Sequence, residues 1–202
     1  KTAFPEPYNA WQGISIENIP VDLVPFGKIE NPPGEVFNRN GHTLNVSGFK
    51  EVFEQAELHE LNEKVTIKIP TVPGLTGLKL HAWLDRQEST SKDASDLALI
   101  LSWYEDDEDT LWSRYLELEN HDYIGIPEAM AAQLLGMDTG KILGNYETQL
   151  LLNRFEQQST ADINQFAELL VAPPEHVHPL AQRQIQVEAM LDGLKAFILG
   201  FK

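Results

Sequence analysis

The chain has 202 residues, 42% of them hydrophobic, enough for one full core or for one core with an appendage. Its formal net charge of -16 repels phosphate backbones and argues against broad, non-specific DNA binding, while leaving room for a local basic pocket. The absence of cysteine excludes disulfides and thiolate metal sites; with no bilayer-length apolar run and no basic-then-apolar leader, the expected address is the cytoplasm, away from membranes.

The chain starts on Lys1 and enters patterned sequence almost at once, as a fragment, a processed product or the ordered part of a longer protein would. Pro5 and Pro7 make the first eight residues irregular. Gly13 to Ile16 alternates, Glu17 to Pro20 reads as a turn and Val21 to Val24 as a strand, so a hairpin is expected. Asp22 lies between apolar neighbours in that strand. A carboxylate there needs water, a partner or a metal, because burial alone is costly; spacing alone favours an exposed strand residue beside Pro20.

Asn31-Pro32-Pro33-Gly34 is a loop by composition. Glu35 to Phe37 and His42 to Val46 flank Asn40-Gly41, a strong tight-turn signal. A helix then starts at Ser47 or Gly48, with Phe49, Val52, Phe53 and Ala56 as its buried stripe. Val65, Ile67 and Ile69 predict a half-buried strand. Pro70 and Pro73-Gly74 open the central helix, with Leu75, Leu78 and Ala82 as core positions.

That helix carries Lys79, Trp83 and Arg86 on one face; after a polar break a second helix carries Asp93 and Asp96 on one face, continued by Leu97 and Ile100. Cations and carboxylates on two facing helices suit an enzyme that handles phosphates, and equally an ion pair that closes a helical hairpin. Lys79 alone reads most simply as a solvated residue. Thr90-Ser91-Lys92-Asp93 fits a capping box, which explains Asp93 locally and leaves Asp96 the better functional candidate.

The acidic run Glu105 to Asp109 reads as a solvated loop, and Trp103, Trp112 and Phe155 as core aromatics. From Thr110 onward the pattern is helical. Pro127 suits a first turn, Asp138 the cap of a short helix ending at Gly144, and Leu150, Leu151 and Phe155 a further stripe. Ile163, Phe166, Leu169 and Leu170 form another stripe; Pro173-Pro174 breaks the chain before a long last helix carrying Ile185, Ala189, Leu191 and Phe197-Ile198. Ala129 to Lys141 has a faint helix-turn-helix spacing, but no basic recognition stripe supports DNA reading. His176-Val177-His178 lacks a third ligand and reads as a loop. The class is therefore α+β, with a mixed part over residues 1–104 and an all-helical part over 105–202.

Taken together, Val21-Asp22-Leu23-Val24-Pro25-Phe26-Gly27, Gly48-Phe49-Lys50-Glu51, Pro73-Gly74-Leu75, Leu78-Lys79-Leu80 with Ala82-Trp83 and Asp85-Arg86, and Lys92-Asp93-Ala94-Ser95-Asp96-Leu97 resemble the bacterial nucleotidyltransferase family of AbiEii-type toxins. The likeness covers roughly residues 13 to 104 and continues into the tail through Ala132 to Asp138. It implies a polymerase-β-like nucleotidyltransferase fold, a small mixed sheet with helices followed by a helical part. The activity it implies is magnesium-dependent transfer of a nucleotide from an NTP to an RNA, in some members a tRNA, or to a protein. A cognate antitoxin and a place in toxin–antitoxin or phage defence come with it. Carried over by position, Asp22 matches the strand-borne carboxylate and metal ligand, Lys79 the triphosphate-contacting lysine, and Asp96 the downstream acid; Arg86 and Asp93 join Lys79 at the nucleotide. The family's first motif, a glycine-containing turn followed by Asp-x-Asp, does not precede Asp22 in these 202 residues. The alternative it raises is a catalytically inactive relative that acts through protein–protein interaction.

Overall fold

The computed structural model describes residues 13–16, 19–37, 43–118, 123–172 and 174–200. The irregular start at 1–8, the Glu17-Asn18 turn, the Asn40-Gly41 turn and Pro173 lie outside them. By its internal contacts the chain divides into two units, Lys1–Lys50 and Glu51–Lys202.

In the first unit, β1 (Gly13–Ile16) pairs antiparallel with β2 (Ile19–Asp22), so the second strand begins two residues earlier than the alternation predicts. The strand β3 (Glu35–Phe37) pairs antiparallel with β4 (Thr43–Asn45), the expected second hairpin, with Phe37 opposite Thr43. Between the hairpins, the Glu30 carboxylate accepts from the backbone N–H of Gly27 at 2.5 Å and of Gly34 at 2.9 Å, tying the loop around a single side chain. Gly34 needs its left-handed φ of 82° there, and a Cβ would meet Ser47 Oγ at 2.8 Å. Among the described residues of this unit Val36 and Val46 are the buried apolar side chains, and the rings of Phe26 and Phe49 meet at 5.8 Å.

The helix α1 (Phe49–Glu54) buries Val52, but Phe53 of its expected stripe stays half-exposed under the Lys68 ammonium, 4.4 Å from the ring centre. A strand missed by periodicity, β5 (Glu57–Asn62), pairs with β6 (Val65–Ile69) around a bulge near Glu60. Neither strand is half-buried. All eleven positions are exposed, Lys68 among them although its ammonium lies over Phe53.

Beyond Ile69 the described chain is helical: α2 (Val72–Arg86), α3 (Lys92–Asp106), α4 (Glu108–Ser113), α5 (Pro127–Glu156), α6 (Thr160–Leu169) and α7 (Leu180–Gly200). The α+β class and the helical C-terminal part are as read from sequence; among the described residues the strands pair as three separate antiparallel hairpins. The core sits between α2, α3, α5, α6 and α7. Its centre is an aromatic trio, with Trp83 stacked on Phe155 at 5.8 Å and tilted against Phe166 at 4.3 Å. Leu80, Leu97 and Leu101 complete it, while the expected Leu75, Leu78 and Ala82 are only partly buried. The physical cause is that α2 is packed on two sides, so its buried positions are Gly74, Thr76, Gly77, Leu80, His81 and Trp83. Contact between α5 and α7 is backbone to backbone: a Cβ on Gly193 would lie 2.1 Å from the Gln133 carbonyl oxygen, and one on Gly136 2.1 Å from that of Met190.

Four further expectations change. The acidic run is no loop: α3 extends through Asp106, and Asp107 caps α4 by accepting from Thr110 N–H. Trp103 and Trp112 are about half-exposed at 46% and 47%, leaving Phe155 as the buried one of the three aromatics. Residues 129–141 form one uninterrupted stretch of α5, which removes the helix-turn-helix. Asp138 caps nothing; it lies inside α5, accepts from both Arg114 terminal nitrogens at 2.7 and 2.8 Å and receives Lys141 at 3.0 Å. Gly144 does interrupt the helix, at φ 73° and ψ 172°.

Candidate functional site

The site is built on α2 and α3. Thr71 Oγ1 accepts from Gly74 N–H at 3.2 Å and Pro73 occupies the first turn, so α2 starts where the sequence signals it. The helix ends at Arg86, residues 87–91 reverse the chain, and α3 returns from Lys92. This antiparallel pair brings the positions near 79 and 86 opposite those near 93 and 96.

Asp93 is the centre. Its side chain is fully buried. One oxygen accepts from Lys79 Nζ at 3.2 Å and from Arg86 Nη2 at 2.8 Å; the other accepts from Arg86 Nε at 2.6 Å. Burial works against the carboxylate, but the hydrogen bonds from Arg86 and Lys79 outweigh it, and its pKa falls below the ordinary 3.8. Lys79 also reaches Asp96 at 2.5 Å. Desolvation opposes the ammonium and its bonds to Asp96 and Asp93 win, so its pKa rises and Lys79 stays charged. The pKa of Arg86 rises through its bond to Asp93.

The structure thus unites Lys79, Arg86, Asp93 and Asp96, with Asp93 as the buried acid of the pair. The capping explanation of Asp93 fails: Ser91 is the residue before α3 and makes no side-chain cap, and Asp93 turns inward to the two cations. Asp96, 37% exposed, is the outer partner. Trp83 leaves this group for the core, because a large indole one turn on from Lys79 meets Phe155 and Phe166. Asp22 closes β2 opposite Gly13, in the other unit, and its side chain is not among those described.

Two neighbouring features had no sequence signal. Arg154 of α5 donates to Asp85 at 2.5 Å and to His81 Nδ1 at 2.9 Å, which places the His81 ring proton on Nε2. Burial and then the Arg154 charge push His81 down to about 4, so it is neutral at pH 7. His81 and Arg154 are 73 residues apart, and only tertiary packing joins them. Two turns from Lys79, a pocket of about 470 Å³ opens beside Trp103.

As a magnesium site the described residues do not fit. The oxygens of Asp93 and the near oxygen of Asp96 are held by Lys79 and Arg86, and no group of three His, Asp or Glu able to hold a metal occurs among the described residues. His176 and His178 each face one acid, Asp106 at 3.4 Å and Glu105 at 3.0 Å, and tie the loop before α7 to the end of α3.

Residues 41–191 match the sequence model of a known family, described as nucleotidyl transferase AbiEii toxin, Type IV TA system. The match contains Lys79, Arg86, Asp93 and Asp96, begins after Asp22, and runs through most of the helical part. No curated protein and no solved structure matches the chain.

Proposed function

The chain belongs to the AbiEii nucleotidyl transferase toxin family of type IV toxin–antitoxin systems, and on that footing we propose that it transfers a nucleotide from an NTP to an RNA or protein acceptor. The observation that carries the proposal is the convergence of Lys79 and Arg86 on one face of the α2–α3 pair, inside the family match. Both cations are anchored by buried Asp93 and remain partly open to solvent, Lys79 at 21% and Arg86 at 50%. A cation so held is pre-positioned for a phosphate, which keeps the ordering cost of binding low.

In the proposed reaction the oxygen of an acceptor hydroxyl bonds to the α-phosphorus and releases its proton to water, while the bond from the α-phosphorus to the bridging oxygen breaks and pyrophosphate leaves. Lys79 and Arg86 contact the phosphates, Asp93 orients both, and Asp96 holds Lys79 until the triphosphate displaces it. The magnesium implied by the family resemblance finds no ligand set among the described residues, so no step is assigned to it. Asp22 enters as the strand-borne acid on the resemblance alone. A cognate antitoxin is the expected genetic partner.

Incubation of the full-length protein with each labelled NTP, magnesium, and total RNA or total protein tests this. Label transferred to a macromolecule, and lost on Lys79→Ala and on Asp22→Ala, is the expected result; transfer that survives Lys79→Ala removes the assigned phosphate contact. A second reading, a catalytically inactive relative acting by protein interaction, draws on one observation: the acids of the cluster are neutralised by its own cations. Absence of transfer from a folded full-length protein, together with a bound partner protein, would favour it.

A further inference from the structure

The pocket beside Trp103 and the Lys79–Asp96 pair lie along one face of the same helix hairpin. Val72 precedes Lys79 by seven residues and Trp103 follows Asp96 by seven, a spacing that keeps each pair nearly on one face. Seven helical residues rise about 10 Å. Leu75 and Leu99 stand between, one turn from Lys79 and Asp96 respectively. The face therefore reads, from the closed end of the hairpin outward, as cations, an apolar strip and then the pocket.

At about 470 Å³ the pocket is in the range of small-molecule clefts. Its walls include Val72, Trp103, Glu57 and Asp107, and its floor Leu111 and Leu134. Trp103 is 46% exposed, and no other ring stacks on it among the described residues. Arg114 also lines the pocket, but its guanidinium is held by Glu117 and Asp138 and offers no free cation. Asp107 uses one oxygen to cap α4 and keeps the other. The lining thus combines an unstacked indole with the carboxylates of Asp107 and Glu57, the latter with one oxygen 3.6 Å from His59 Nε2, and such carboxylates repel phosphate and suit a planar ring bearing N–H donors. The nearer phosphate-binding charge, Lys79, sits about 10 Å away along the helix, and the Arg86 guanidinium, which shares an Asp93 oxygen with it, lies beyond. That polarity matches a nucleotide laid along the face with its base at Trp103.

We propose that this pocket binds the base of the nucleotide whose phosphates Lys79 and Arg86 contact, stacking it on Trp103 and accepting its exocyclic amino hydrogens at Asp107 and Glu57. The inference rests on the nucleotide reading above and adds a base site and a base preference: adenine, cytosine or guanine over uracil, which has no amino group.

Equilibrium dialysis of the full chain against ATP, CTP, GTP and UTP, with the four nucleosides as competitors, tests it. The expected result is that an amino-bearing NTP binds in preference to UTP and its nucleoside competes. Trp103→Ala weakens binding roughly 5- to 150-fold, as loss of a base-stacking aromatic does, and Trp103→Phe recovers most of it. Lys79→Ala lowers triphosphate affinity towards that of the nucleoside. Trp103 is half-exposed, so its truncation leaves the core intact; thermal unfolding checks this. If Lys79→Ala weakens NTP binding while Trp103→Ala changes neither affinity nor base order, the pocket assignment falls and the phosphate reading stands. If Trp103→Ala weakens NTP and nucleoside alike and Lys79→Ala does nothing, the phosphate reading falls and the base site stands. No binding of any nucleotide overturns both.

Discussion

Removing Asp93 tests the architecture of the cluster most directly. The carboxylate is fully buried and accepts three bonds from two cations. Deleting one partner of a buried ion pair costs about 3–5 kcal/mol, because the other charge is left desolvated. Here Arg86 is half-exposed and turns to water, and Lys79 keeps Asp96, so the lower end applies, about 3 kcal/mol for Asp93→Ala. For a chain of this size that lowers the melting temperature by about 6–12 °C. Asp96→Ala removes a carboxylate 37% exposed and costs about 0.5–1 kcal/mol. Thermal and urea unfolding followed by circular dichroism compares the two. The pH dependence has a defined sign. The folded pKa of Asp93 is depressed, so its contribution is present above the ordinary value of 3.8 and is lost as pH falls through the lower folded value. The gap between wild type and Asp93→Asn therefore closes in acid. Equal costs for the Asp93 and Asp96 variants, or a cost under about 1 kcal/mol for Asp93→Ala, would falsify the buried-anchor account.

Other substitutions probe the surroundings. His81 is buried with its folded pKa depressed from 6.5 to about 4, so stability falls as pH drops from 6.5 towards 4, by up to about 3 kcal/mol; His81→Gln flattens that slope in pH-resolved unfolding. Gly193→Ala drives a Cβ to within 2.1 Å of the Gln133 carbonyl oxygen and costs about 3 kcal/mol, read as a lowered urea midpoint, whereas Gly200→Ala meets open space and changes little. Leu58→Lys, on a side chain 72% exposed, shifts stability by less than about 0.5 kcal/mol; a larger loss would mean that the β5–β6 hairpin is covered.

Much of the site was legible because helical spacing is a local property. Lys79 and Arg86 share a face on α2, Asp93 and Asp96 share one on α3, and the short break between them forces the helices to fold back. Which of the two acids is buried was not legible. Thr90 three residues before Asp93 mimics a capping box, and which carboxylate turns inward depends on how the two helices are rotated against each other. The strand β5 was hidden for a related reason: Glu57-Leu58-His59-Glu60-Leu61-Asn62 has no period of two across its bulge, so pairing with β6 reveals what alternation does not. Trp103 and Trp112 look like core residues by type, yet the core fills with Trp83, Phe155 and Phe166 and leaves them at the surface.

By itself the sequence determined that the chain after Ile69 is mainly helical, that α2 opens near Pro73-Gly74 and α5 at Pro127, that a break falls at Gly144, and which four charges meet on one hairpin. These follow from caps, prolines, glycines and spacings that act over a few residues. Tertiary structure alone decided that Asp93 is the buried anchor, that Arg154 reaches His81 and Asp85 from 69 or more positions away, that Gly136 and Gly193 let α5 and α7 touch through their backbones, and that a pocket opens beside Trp103. The reason is that burial and long-range pairing depend on which faces of separate elements meet, a choice made by the packing of the whole core and carried by no single stretch of the chain.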